Sequence, residues 1–410
     1  MTSQAVEALT EQWLTPDFFA DPYPFYEALR AIGPVHWSRR FNGWVVTGYQ
    51  DVVSILRTPE VFSSAGRMGA LLDALPEADR PAFKPIYDHF SVGMIRSDPP
   101  DHTHLRRLIN KVFTPQMVER KRQSIQGIVD GLLDAIGDRE QVDLIHDYAY
   151  PMPATVICRI LGVPTEDLVR VREWSQRINS IIAGTTPLRE AAQRTQEALL
   201  ELQHYYRGMI AQRRQSPRDD LLGLLVAAEE QEDRLTEEQL LSTAENLLSA
   251  GHETTTSLVG NAVITLLRHP DQLRRVKEDP DLLSAAIEEI LRYESPIQRQ
   301  TRVLKRDDEF AGQTMRQGQV VFLMIGAANR DPAIFPDADR FDMMRPDNRH
   351  IAFGTGVHFC IGAPLARLEA QIALTGLVHR FPQMRLAESQ VQWTQSAALR
   401  CPVSLPVRLR

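Results

Sequence analysis

Cysteine is scarce: three residues in 410, at positions 158, 360 and 401. An odd, widely spaced set is no disulfide framework. No Cys-x-x-Cys or Cys-x-x-His pair offers the clustered ligands that zinc needs. Long apolar runs are missing too. None reaches the roughly 20 residues that span a bilayer, and MTSQAVEALTEQWLTPDFFADP carries no signal-peptide core. No basic block dominates either. The formal net charge is −7, which argues against nucleic acid as a partner. These absences predict a cytoplasmic protein without a membrane anchor. With 43% hydrophobic residues, there is material for a large core.

What is present is mostly helical. DPYPFYEALRAIG reads as a helix ended by Gly33. A β-rich part follows, about 34–65, with two β-rich runs around Asn42-Gly43, a hairpin signal. YQDVVSILRTPEVF returns to helix. From about 100 to 295, apolar residues recur at three- and four-residue spacing, a helical core. After Pro296 the chain turns β-like again. A loop rich in Asp, Pro, Arg and Asn covers about 329–352, and PLARLEAQIALTGLVHRF forms a last helix. No repeat or linker divides the chain. The expectation is one mainly α domain with minor β-sheet, residues 1–410.

Four segments could carry chemistry. The first is FGTGVHFCIG, residues 353–362. Cys360 stands just ahead of the last helix, whose positive end favours a thiolate. The glycines remove side chains where a flat ligand would press on the backbone. One thiolate with backbone donors suits the axial ligand of a haem iron. On Cys360 alone, a buried structural thiol is the preferred reading, since that is the commoner fate of a single cysteine. A catalytic thiol needs a base, and only His358 is near. Cys158 reads as a core thiol and Cys401 as part of a short strand.

The second segment is a long helix opened by a capping box, Thr236 with Gln239, and running to Arg268. In AGHETTT, Gly251, Glu253 and three threonines interrupt an apolar helix. This is either a polar pocket or kink without chemistry, or a proton relay from Glu253 through the Thr254 hydroxyl. The third is EEILRYESP, where Glu289 and Arg292 stand at i, i+3, a weak signal alone. The fourth is DPPDHTHLRR, where His102 and Arg106 share a helix face. They form either a solvated basic face or a grip on carboxylates.

Together, and in this order, these segments resemble the cytochrome P-450 family, the haem-thiolate monooxygenases. Phe353, Gly356, His358, Cys360 and Gly362 match the family's haem loop. Ala250, Gly251, Glu253 and Thr254 match its oxygen-activation motif, and Glu289 with Arg292 its Glu-x-x-Arg pair. In FPDADRFD, Arg340 would complete that ion-pair triad. The chain looks like bacterial members that act on macrolides and other polyketide or terpenoid products of secondary metabolism.

The resemblance implies a triangular, helix-rich fold with haem b between the long helix and the cysteine loop. It implies Cys360 as the iron's axial ligand, and His102, Arg106, Arg302 and His358 as propionate partners. It implies that one oxygen atom of O2 is inserted into a C–H or C=C bond of a mainly apolar small molecule, with Glu253 and Thr254 delivering protons. Leu247, Ile297, Gln298, Arg299 and Leu399 are expected at the substrate pocket, with Arg299 facing a substrate carboxylate, solvent or haem. No flavin or iron–sulfur segment is expected after residue 410. Electrons would come from NAD(P)H through a separate ferredoxin reductase and ferredoxin, docking near Arg106, Arg107, Lys111 and Arg349 on a monomer. A hydrogen-peroxide-dependent peroxygenase and a non-catalytic haem sensor remain the alternatives.

Overall fold

The computed structural model describes residues 2–230 and 235–410. Its main sheet has five strands: β1 (Val35–Ser38), β2 (Gly43–Val46), β3 (Phe62–Ser63), β4 (Arg299–Leu304) and β5 (Val320–Met324). Their spatial order is β1-β2-β5-β4-β3. The hairpin signal at Asn42-Gly43 is realised: β1 and β2 pair antiparallel with Val35 opposite Val46, and Asn42 turns the chain with φ +45°. The strand β2 then runs parallel to β5, so sequence-distant segments share one sheet.

Nine helices set up the site: α1 (Tyr23–Ile32), α2 (Lys84–Ser91), α3 (Asp101–Asn110), α4 (Pro151–Leu161), α5 (Leu168–Ala183), α6 (Leu188–Gln215), α7 (Glu237–Arg268), α8 (Leu282–Tyr293) and α9 (Ala363–Arg380). Gly33 ends α1 as expected, at φ +155°. The helix α7 is the long one. Thr236 accepts from the Gln239 amide while the Gln239 side chain accepts from the Thr236 amide, the expected capping box. At 1.5 Å per residue it is about 48 Å long. Leu240–Ser249 and Thr255–Leu266 are buried throughout. Between them, Ala250 is exposed and Gly251, Glu253 and Thr254 are half-buried. Among the described residues no helix is long and apolar enough to cross a membrane.

Cys158 on α4 is fully buried, and burial pushes its thiol up to about 12, as suits a core residue. Cys401 is also buried but lies in irregular backbone. The short strand of that region is Pro406–Arg408, paired with Gln141–Asp143.

The ion-pair triad forms with a different third member. Glu289 and Arg292 are both fully buried on α8 and meet through two bonds of 2.8 Å. Arg292 also donates to the carbonyls of Asn329, Ala338 and Arg340. Arg340 contributes only that carbonyl. Its guanidinium is 68% exposed and stands 4.0 Å from Asp342. The third member is Arg345, whose Nε lies 3.1 Å from Glu289 Oε1 and whose side chain is 8% exposed. Its Nη2 reaches back to the carbonyls of Asp337 and Arg340. The Asp342 amide and the Asn348 side chain supply further bonds to Glu289. The carboxylate is therefore saturated, as a buried charge requires. This knot ties α8 to the irregular segment leading into the cysteine loop.

Removing one member of a buried ion network costs about 3–5 kcal/mol, whereas an exposed charge contributes within roughly 0.5 kcal/mol. Arg345→Ala is expected to lower unfolding stability by that larger amount, and Arg340→Ala to leave it unchanged, in denaturant titrations. Equal effects would contradict the assignment of Arg345.

Candidate active site

The cysteine loop is held by its backbone. Gly354 and Gly356 have φ near +70°, where a β-carbon is strained. At Gly356 a Cβ would also stand 2.6 Å from the Leu56 carbonyl oxygen. The Cys360 amide donates to the Phe353 carbonyl at 2.9 Å and closes the loop. The sulfur then faces the amides of Gly362 and Ala363 at the start of α9. Burial pushes the thiol up, while those amides and the Arg106 and Arg367 guanidinium groups pull the other way. A coordinated metal cation would tip this balance, because a ligating thiol is deprotonated outright. Phe353 lies under the Arg367 guanidinium, 4.5 Å from its ring centre. Arg367 in turn binds Glu288 at 2.7 and 2.8 Å, and His350 joins at 3.0 Å. Burial alone would raise Glu288, but these bonds bring it down to about 2.

Buried donors without acceptors collect above the loop. His102 is 2% exposed and neither ring nitrogen has a partner among the described residues. His358 Nε2 is likewise unpartnered, and the two rings lie 4.2 Å apart. Burial lowers both imidazoles, with Arg106 adding repulsion at His102. His358 falls to about 3, helped by repulsion from His102, Arg302 and Arg67. Arg302 on β4 is 3% exposed, and burial lowers it to about 10. Arg106, one turn beyond His102 on α3, lies within electrostatic range of Cys360. Orphaned buried donors cost free energy, and a pair of carboxylates would satisfy them. No group of three His, Cys, Asp or Glu among the described residues could hold a bare metal ion. A single thiolate beneath a carboxylate-binding ring of donors fits haem: the porphyrin brings its own iron and two propionates.

The long helix α7 carries the open patch at 250–254. The Thr254 hydroxyl donates to the Ala250 carbonyl at 2.9 Å. Asn179 on α5 donates to the Glu253 carboxyl at 2.7 Å. Burial raises Glu253 from an ordinary 4.5 to about 7, with the Asn179 bond opposing and Glu245 adding repulsion. Asn179 had no sequence signal, because one polar residue on an amphipathic helix is unremarked. Gly251 serves packing: a Cβ there would meet the Ile157 side chain of α4 at 2.6 Å.

The expected pocket residues divide. Leu247 is buried on α7, and Ile297 and Leu399 meet in a β-bridge. Gln298 is turned away. Its amide accepts from Tyr26 and donates to the Tyr23 hydroxyl and the Ser295 carbonyl, so it ties α1 to the end of α8. Arg299 lies over the Phe322 ring at 5.1 Å and reaches the Ile182 carbonyl at 3.4 Å.

Residues 71–397 match the family model described as Cytochrome P450. The chain is 42% identical over 399 residues to cytochrome P450 107B1 of Saccharopolyspora erythraea, covering 95% of this chain and 96% of that one. It is 38% identical over 402 residues to 6-deoxyerythronolide B hydroxylase of the same organism, covering 96% and 97%. A solved structure, myxobacterial CYP267B1 in complex with myristic acid, superposes with a TM-score of 0.89 at 39% identity, covering 97% of this chain and 99% of that one. Thiolate loop, donor ring and acid-bearing helix stand where one fold brings them together, and the chain belongs to the cytochrome P450 family of monooxygenases.

Proposed function

We propose that the protein inserts one oxygen atom of O2 into a C–H or C=C bond of a mainly apolar small molecule in the cytoplasm. Electrons would pass from NAD(P)H through a separate reductase and ferredoxin. The observation that supports this reading is a pair of features on one fold: the Cys360 sulfur with its backbone donors, and the protonatable Glu253 beside Thr254 on the open patch of α7. Bound between them, haem supplies the capacity to bind O2 and transfer one of its atoms. His102, Arg106, Arg302 and His358 would hold its propionates, and Cys360 its iron.

The chain's own groups do the rest. Glu253 keeps its proton to about neutral pH because ionisation in a buried site is costly. Asn179 fixes the carboxyl's orientation. Thr254, one residue on, offers a hydroxyl that takes and gives a proton in one move. Leu247, Ile297 and Leu399 offer apolar surface to substrate. An acid and an alcohol kept together support O2 as the oxidant over peroxide, which arrives with its protons. The cations Arg106, Arg107, Lys111 and Arg349 would meet an acidic ferredoxin by charge complementarity.

The direct test supplies reduced ferredoxin and 18O2. One labelled oxygen is expected in the product. Label arriving only from hydrogen peroxide would establish the peroxygenase instead.

A second expectation concerns pH. A carboxyl whose pKa rises on folding favours the neutral form. Its contribution to stability is full below about 4.5 and is lost as pH rises through about 7. The proton-donating form declines over the same upper range. Turnover should fall as pH rises through about 7. Glu253→Gln should lower it about a hundredfold and remove that pH limb. A limb unchanged in Glu253→Gln would contradict the assignment.

A further inference from the structure

A buried polar seam runs along α7 and ends at Glu253. Glu245, Ser249 and Glu253 stand at i, i+4 and i+8, hence on one face of the helix. Glu245 and Ser249 are buried, and the Ser249 hydroxyl donates to Glu245 Oε1 at 3.1 Å. Glu245 Oε2 lies 3.4 Å from Nε2 of His89 on α2, itself buried. The other imidazole nitrogen, Nδ1, meets the Gln203 amide of α6 at 3.0 Å. Gln203 is half-buried, so the far end of the seam reaches the edge of the core. On α5, Ser175 and Asn179 stand one turn apart. Ser175 lies 3.5 Å from the Ser249 hydroxyl, and Asn179 bonds Glu253 at 2.7 Å. The two helices meet rung by rung.

The seam is made of groups that carry protons. A carboxylate and a hydroxyl take and release them at oxygen, and an imidazole takes one at one nitrogen and releases one at the other. Burial would raise Glu245, but His89, the nearby Arg96 and Ser249 hold it below its ordinary value. The other neighbours of Glu253 carry protons poorly. Asn179 is an amide. Tyr150 and Cys401 lie within electrostatic range of the carboxyl. The Tyr150 hydroxyl is committed to the Leu168 carbonyl and is raised by burial. Burial pushes the Cys401 thiol up to about 12. Arg172 lies over the Tyr150 ring at 4.7 Å, and a guanidinium releases no proton. Side chains on a helix lean toward its N-terminus, so the Glu253 carboxyl extends over the turn that carries Ser249.

Inserting one atom of O2 consumes two electrons and two protons and leaves the other atom as water. Glu253 holds a single proton, so it must be recharged within each turnover. We propose that the seam recharges it: a proton entering at His89 passes through Glu245 and the Ser249 hydroxyl to Glu253. His89 takes a proton from solvent at Nδ1 as the Gln203 amide swings aside, and releases the one at Nε2 to Glu245. Glu245 protonates the Ser249 oxygen, whose own proton goes to the Glu253 carboxylate. Each step breaks one N–H or O–H bond as the next forms, and one proton from water replaces the one that Glu253 gave up. Glu245 and Ser249 are positioning residues, because they act on the reaction only through Glu253. This rests on the proton-donor reading of Glu253 and adds the route that reloads it.

The test follows the infrared carbonyl band of protonated Glu253 in the haem-loaded enzyme, identified by its absence in Glu253→Gln. After rapid mixing into D2O the band shifts as the proton exchanges. Ser249→Ala and Glu245→Gln should each slow that exchange about tenfold and lower turnover in the 18O2 assay by a similar factor, with electrons diverted to hydrogen peroxide. Haem content should stay unchanged in Ser249→Ala, which removes one hydroxyl. Ser249→Thr, which keeps the hydroxyl, should restore most of the exchange rate. Exchange at the wild-type rate in both Ser249→Ala and Glu245→Gln would overturn the proposal and point to entry past Tyr150 and Arg172. Slowed exchange with unchanged turnover would overturn it too, since recharging would then not serve the reaction. Failure of the Glu253 reading is distinct: Glu253→Gln would keep full turnover and its pH limb, whatever the effect of Ser249→Ala.

Discussion

A buried charge must meet an opposite charge or a full set of hydrogen bonds, and this constraint organises the molecule. It acts at three places. At the cysteine loop, the Cys360 sulfur faces two amides with two guanidinium groups in electrostatic range, a setting that a cation at the sulfur would complete. Beside it, His102 and His358 carry buried ring nitrogens without partners among the described residues. On α7, Glu253 resolves the same problem by keeping its proton. Haem would answer the first two needs with one group, through its iron and its two carboxylates. The third leaves an acid ready to give up a proton.

The same rule explains the bracing. Glu289 is tolerated in the core because Arg292, Arg345, the Asp342 amide and Asn348 saturate it. The result is a rigid polar knot beside a loop that must hold a sulfur in place. Glu288, the next residue back, ties α8 to α9 through Arg367, whose guanidinium covers Phe353. Two adjacent acids on α8 thus brace the cysteine loop by separate routes.

Much of this was legible in the sequence where local rules decide. The capping box at Thr236, the Asn42-Gly43 hairpin, the Gly33 stop and the interruption of α7 at 250–254 all depend on neighbours a few residues away. What was not legible depends on irregular backbone or distant partners. Arg340 and Arg345 both sit in a segment without periodicity, and only its path shows which guanidinium turns inward. Gln298 lies at the edge of a strand, but two of its three partners come from α1, more than 270 residues earlier. Gly251 read as part of the oxygen-activation motif, yet its missing Cβ is explained by Ile157 across a helix crossing. Asn179 carried no local signal because its significance lies in the Glu253 carboxyl it faces.

The central claim is that Cys360 is an ionised iron ligand. Its most direct test is the absorption spectrum of the reduced, carbon-monoxide-bound protein, compared with Cys360→Ser. A strongly red-shifted Soret band that disappears in the variant is the predicted result. A wild-type band at the position typical of imidazole or neutral-thiol ligation would contradict the account, because the sulfur would then be protonated or displaced.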